Sequence, residues 1–201
     1  MQISHIDPRQ TSPTVKDGLG SQLSFLTGLA ILGCVGLAFV ALATWSVTDP
    51  SFSYAKEEEA SNFLGFPGAV FADFSMQFLG LASAVAIIPP AIWGWSKLLQ
   101  RNIAAMRKRL MLWPLAVLVS AAAMSCLPVP QSWPLPVGMG GVGGDMILNM
   151  PATLAGGALE GTLAFIIGSV LTLLSIVLIF ASAELIWWRD EGQLSLSLIH
   201  I

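Results

Sequence analysis

The residues that most often do chemistry are few in this chain and badly placed for it. His5 and His200 lie in opposite tails, so neither has a base, nucleophile or metal partner at useful spacing. Cys34 and Cys126 each stand alone in apolar sequence and read as small buried hydrophobes rather than as a disulfide or metal pair. The run Gly138-Met139-Gly140-Gly141-Val142-Gly143-Gly144-Asp145 has glycines enough to approach a phosphate, but no Lys-Ser/Thr pair follows to complete such a loop. No catalytic, cofactor-binding or metal-ligating set is therefore expected in this chain.

A different kind of pattern occupies Asn62 to Asp73, which reads N-F-L-G-F-P-G-A-V-F-A-D. Gly65 and Gly68 flank Pro67, and this combination predicts a tight turn, because glycine accepts backbone angles closed to other residues while proline fixes its own φ. Ala69, Ala72 and Gly80 are small and fall near the start of an apolar run, where a partner backbone can approach closely. Upstream, Asp49-Pro50-Ser51 predicts a helix exit, since proline disfavours helix before it. Asp73 is expected to cap the next helix, near the positive end of its dipole, rather than to carry a proton or an ion.

The elements that must position these residues are membrane helices. Only 10% of residues are charged, against roughly 25% in a soluble domain. Four stretches free of Asp, Glu, Lys and Arg are predicted to span: Phe25–Trp45, Phe74–Trp95, Leu110–Leu127 and Thr162–Ala183. Each approaches the roughly 20 residues a helix needs to cross the hydrocarbon. Backbone groups in lipid must bond within the segment, and barrel strands would be shorter and alternating. The expected fold is all-α and integral to the membrane, with four transmembrane helices in residues 25–189.

Basic residues set the direction. Arg9, Lys16, Lys97, Arg101, Arg107, Lys108, Arg109 and Arg189 fall on one side of this arrangement and only Lys56 on the other. The positive-inside rule then places both termini in the cytoplasm, with Lys97, Arg101, Arg107, Lys108 and Arg109 as the strongest topology signal. Trp45, Trp93, Trp95, Trp113, Trp187 and Trp188 sit at predicted span ends, where indole favours the interface. No cleavable signal peptide is expected: the first apolar run is too long and follows a polar tail, residues 1–24, that reads as disordered.

Between the spans, Pro89-Pro90 predicts a kink near the inner end of the second. Gly80/Ala84, Ala82/Ala86 and Ala164/Gly168 offer small faces for helix packing. The basic inner loop also suits anionic lipid; a DNA role for it ranks last, since nothing there reads bases. In the second outer loop, Met146–Glu160 is expected to form a short interfacial helix, with Asp145 and Glu160 solvated at the membrane edge.

Taken together, Asp49, Pro50, Asn62, Leu64, Gly65, Gly68, Ala69, Ala72, Asp73 and Gly80 resemble the signature of the N-terminal four-span membrane domain of the FtsK/SpoIIIE family of DNA translocases. The similarity runs from about Trp45 to Trp95 and returns at Gly140–Asp145. It implies an anchor in the bacterial inner membrane, at the division septum, in contact with lipid, with other division proteins and with further copies of itself. It also implies that the ATP- and Mg-dependent motor, which pumps DNA in chromosome segregation, lies downstream, so that DNA is met only through that motor. The long Lys56–Glu59 insert and the second outer loop depart from the family pattern, which bears on any specific partner contact.

The alternative is a self-contained four-span transporter or channel subunit. Such proteins place ionisable groups inside the bundle or show broken helices in matching halves, and only Pro89-Pro90 hints at either. At the other end, residues 190–201 read as the start of a truncated linker. Leu196-Ser197-Leu198-Ile199-His200-Ile201 matches the translation of a transposon end used in sequencing libraries, which would make 196–201 non-native; the other reading is a genuine apolar tail.

Overall fold

The computed structural model describes residues 15–52, 59–154, 157 and 161–183, and every regular element among them is a helix. The elements are α1 (Val15–Ala43), α2 (Gly65–Leu79), α3 (Ala82–Ala86), α4 (Ile88–Leu98), α5 (Met106–Ser125), α6 (Gly141–Leu154) and α7 (Gly161–Ser182). Three of them carry stretches long and apolar enough to cross a membrane: Gly20–Ala43, Met106–Ser125 and Gly161–Ser182. The fourth candidate comprises Gly65–Leu79 and Ala82–Leu98, which are bent by 107° at the break between them.

That bend corrects the expectation of one continuous helix over Phe74–Trp95. Helix already begins at Gly65 and stops at Leu79, where Gly80 (φ 57°) turns the chain into α3. Pro89-Pro90 makes no comparable break. Both prolines fall in the first turn of α4, where backbone N–H groups have no intrahelical acceptor to lose. Helix α1 starts at Val15, inside the tail assigned to disorder at 1–24. The stretch Gly141–Leu154 replaces the helix expected over Met146–Glu160. Glu160, Lys56, Arg189, Trp187, Trp188 and residues 190–201 lie outside the described residues.

Close backbone approach organises the bundle, as expected where lipid removes the usual hydrophobic drive between helices. Helix α4 runs antiparallel to α1: a Cβ on Gly28 would lie 2.5 Å from the Leu98 amide nitrogen, and one on Gly94 would lie 2.9 Å from Leu32. Near the C-terminal end of α4, the Ser24 hydroxyl donates to the Lys97 carbonyl at 3.3 Å. On the other side, α5 packs along α7, with the Ser120 and Ser175 hydroxyls 2.6 Å apart and both residues buried. The core is correspondingly small-featured. Ala41, Ala69, Ala72, Ala82, Ala116, Ala121, Ala122 and Ala164 are all buried, while leucines and phenylalanines of α1 and α7 face outward. Cys34 is one of the outward residues rather than a buried one.

Candidate functional site

The residues of that signature converge on the end of the bundle where α1 finishes and α2 begins. Asp49 is only 5% exposed. One of its carboxylate oxygens accepts from the Ser61 amide (2.9 Å) and hydroxyl (2.7 Å), and the other from the Asn62 amide (3.1 Å). Pro50 is buried beside it. Asn62 in turn donates its side-chain amide to the carbonyls of Ala41 (2.8 Å) and Thr44 (3.2 Å). These carbonyls belong to the end of α1, where the helix leaves its last acceptors without partners. The Asn62 side-chain oxygen accepts from the Leu64 amide at 3.1 Å. Thr44 completes the lock, its hydroxyl donating to Val40 (2.8 Å) while accepting from the Phe63 amide (3.2 Å). One loop thus closes α1 and opens α2.

Within this lock the glycines have separate jobs. Gly65 takes φ 63° as the first residue of α2, so the turn ends there instead of continuing through Gly68. Gly68 is helical, and any Cβ on it would run into the Asn62 and Leu64 side chains. Ala69 and Ala72 are buried on the same face. Asp73 lies in the middle of α2 rather than at its start, so it is no dipole cap. Its carboxylate accepts from the Ser51 hydroxyl (2.6 Å) and the Gln77 side-chain amide (3.0 Å).

The loop between α5 and α6 docks onto the α2–α3 break. The Leu81 amide donates to the Met139 carbonyl at 2.9 Å, and a Cβ on Gly80 would collide with that same carbonyl. Gly140 and Gly144 press on the backbone of Ala121 in α5, and Gly143 on the Phe78 carbonyl. The glycine-rich run therefore serves backbone packing. Asp145 is half-buried rather than solvated, and accepts from the Gly138 amide at 3.0 Å, closing the loop ahead of α6.

A second cluster clasps the C-terminal end of α7. The Trp93 indole donates to the Ser182 carbonyl (2.8 Å), and Arg109 donates to the carbonyls of Ala181 (2.9 Å) and Ala104 (2.7 Å). Trp93 and Trp113 meet edge to face, with ring centroids 5.8 Å apart, and the Trp113 indole donates to Ala86 at 2.9 Å. Both tryptophans are therefore packing residues, and Trp113 lies well inside α5 rather than at its end. Arg109 departs furthest from expectation: at 2% exposed it is enclosed, whereas Arg101, Arg107 and Lys108 are exposed and Lys97 is half-exposed in the last turn of α4.

Nothing in the sequence pattern marks Thr44, Ser61, Gln77, Ser120, Ser175 or the Trp93–Arg109 clasp, or Ser51 as a partner of Asp73. Single serines and threonines in apolar sequence give no sign of which carbonyl or hydroxyl they will meet. Among the described residues, no group of three His, Cys, Asp or Glu could hold a metal ion.

The family model described as the 4TM region of DNA translocase FtsK/SpoIIIE matches residues 22–190. A DNA translocase FtsK of Brucella suis is 47% identical over 150 residues, covering 75% of this chain and 18% of that protein. Those of Rhizobium meliloti and Agrobacterium fabrum are 42% and 41% identical, covering 94% and 95% of this chain and 21% of each relative. The chain thus spans about a fifth of the length of the curated relatives it matches. No solved structure matches.

Proposed function

The chain belongs to the 4TM region of the FtsK/SpoIIIE DNA translocase family, and from that premise we propose that it is the inner-membrane anchor of an ATP-dependent DNA translocase acting in cell division and chromosome segregation. The matched region is the membrane one, and it carries no motor. ATP, Mg and DNA belong to a motor outside it. On this reading the chain crosses the bacterial inner membrane four times, through α1, α3–α4, α5 and α7, with both termini in the cytoplasm. Its place is the division septum, where its partners are lipid, other division proteins and further copies of itself.

The observation that carries the reading is the family match over 22–190, which includes both the outer lock and the inner clasp. The clasp suits an anchor. Force transmitted to the end of α7 would be shared with α4 through Trp93 and with α5 through Arg109. Asp49, Asn62 and Asp73 then serve to hold the outer loop that division partners would meet. The eight-to-one split of basic residues supports the orientation.

Reporter fusions test it. A reporter active only in the cytoplasm should give signal when fused after Arg189 and none when fused within Gly138–Asp145. The reverse pattern would overturn the orientation and the anchor reading with it.

A further inference from the structure

We infer that α2 is not the outer half of a membrane span but an interfacial helix, whose aromatic face lies in the outer leaflet with lipid as its partner. The span itself is completed without α2. Helices α3 and α4 follow α1 from a furrow lined by Phe39, Leu42, Ala84 and Ile87 down to the Ser24–Lys97 bond. Their 17 residues, Ala82 to Leu98 (98 − 82 + 1), rise about 25 Å at 1.5 Å per residue, close to the roughly 30 Å of hydrocarbon. Helix α2 then turns 107° away from them. Along the direction of α4 its ends are separated by only about 6 Å, although the helix is about 22 Å long.

The two faces of α2 agree with that attitude. Gly68, Ala69, Ala72, Asp73 and Met76 are buried against the bundle. Phe66, Phe71, Phe74 and Phe78 point away, 54%, 46%, 65% and 42% exposed, and the last two stack with centroids 6.0 Å apart. The one ionisable group of α2, Asp73, is turned inward to Ser51 and Gln77, so no charge enters the aromatic face.

What covers that face follows from continuity with the lipid-facing wall of α1. A furrow lined by Leu37, Ala38 and Ala41 of α1 and by Pro67 and Phe71 of α2 joins the two surfaces without a polar side chain between them. Ala41 and Leu37 stand two and six residues before the end of α1, roughly 3–9 Å below it at 1.5 Å per residue. Helices lying in the interface bury their apolar face by about 5–10 Å, so the depths agree. The inference rests on the proposed orientation only for which leaflet is involved.

Spin-label depth measurements decide it. Phe66→Cys, Phe74→Cys and Phe78→Cys would be made singly in the full chain carrying Cys34→Ala and Cys126→Ala. Each would be labelled and reconstituted in phosphatidylethanolamine–phosphatidylglycerol vesicles. Collision rates with oxygen and with a water-soluble nickel chelate then give depth. Labels on Leu29→Cys and Leu37→Cys of α1 serve as the ruler and show that the bundle has folded, with an expected depth difference of about 12 Å. The expected result is oxygen-accessible, shallow labels, with positions 66 and 78 within about 5 Å in depth. A difference near the ~18 Å of twelve helical residues would restore the straight span and overturn the inference. Exclusion of both colliders would place protein, such as a second copy, on the face, and free access of the nickel chelate would place water there; either result also overturns it. Failure of the orientation alone would show in the reporter fusions and leave the equal depths intact.

Discussion

The Asn62 side chain donates to the Ala41 carbonyl at 2.8 Å, although the two residues lie 21 positions apart in the chain. A loop residue therefore caps the helix that precedes it. Because the Asn62 amide is also held by Asp49, the loop and the helix end form one hydrogen-bonded unit.

Asp49→Ala should weaken this unit substantially. It removes the acceptor for three donors from Ser61 and Asn62; of these the Asn62 amide is buried, and a buried donor left without a partner costs about 1–3 kcal/mol. Unfolding in lipid micelles should show a loss near 2 kcal/mol, with Asn62→Ala similar. A loss under about 0.5 kcal/mol for both would mean that water replaces the lock without cost.

The glycines should separate by mechanism. Gly65 and Gly80 both have positive φ, but a Cβ on Gly65 meets open space, while one on Gly80 meets the Met139 backbone. Gly65→Ala should cost only the left-handed penalty, about 1–2 kcal/mol. Gly80→Ala should cost clearly more, because backbone cannot give way as a side chain can. Equal stabilities of the two variants would contradict the docking of the α5–α6 loop on the α2–α3 break.

Ser120 and Ser175 should be coupled. Their hydroxyls are 2.6 Å apart in a buried contact, and such bonds between membrane helices average about 0.6 kcal/mol and reach about 1.7. A double-mutant cycle with alanine at both positions measures this directly. A coupling energy of zero would mean that each hydroxyl is content with its own helix carbonyl, as Ser120 is with Ala116.

Arg109 and Arg107 should part company despite their proximity in sequence. Arg109→Gln forfeits the bonds to Ala181 and Ala104, and hydrogen bonds to a charged group contribute about 1.5–3 kcal/mol each. Arg107 is exposed, so Arg107→Gln should stay within about 0.5 kcal/mol of the parent. Indistinguishable unfolding curves would reduce Arg109 to a topology charge like its neighbours.

The helical, membrane-crossing class was legible because it rests on composition and length, which lipid reads almost directly. The first, third and fourth spans were found within a few residues at most ends, the exception being the earlier start of α1. The turn expected at Gly65 is also present, since its φ of 63° is one that glycine accepts. The arrangement around it was not legible. Gly65 and Gly68 look alike in sequence, yet one sets a left-handed start and the other clears space for Asn62.

The sequence by itself determined that the chain is helical and built for lipid, because charge-free runs near 20 residues leave the backbone no other way to satisfy itself. Tertiary structure alone decided where the second span breaks, which arginine is enclosed and which carbonyl each polar side chain reaches. Those outcomes depend on contacts between residues tens of positions apart, such as Gly80 with Met139 and Arg109 with Ala181. Local pattern is blind to them, since an apolar run reads the same whether it continues straight or turns through 107° at a glycine.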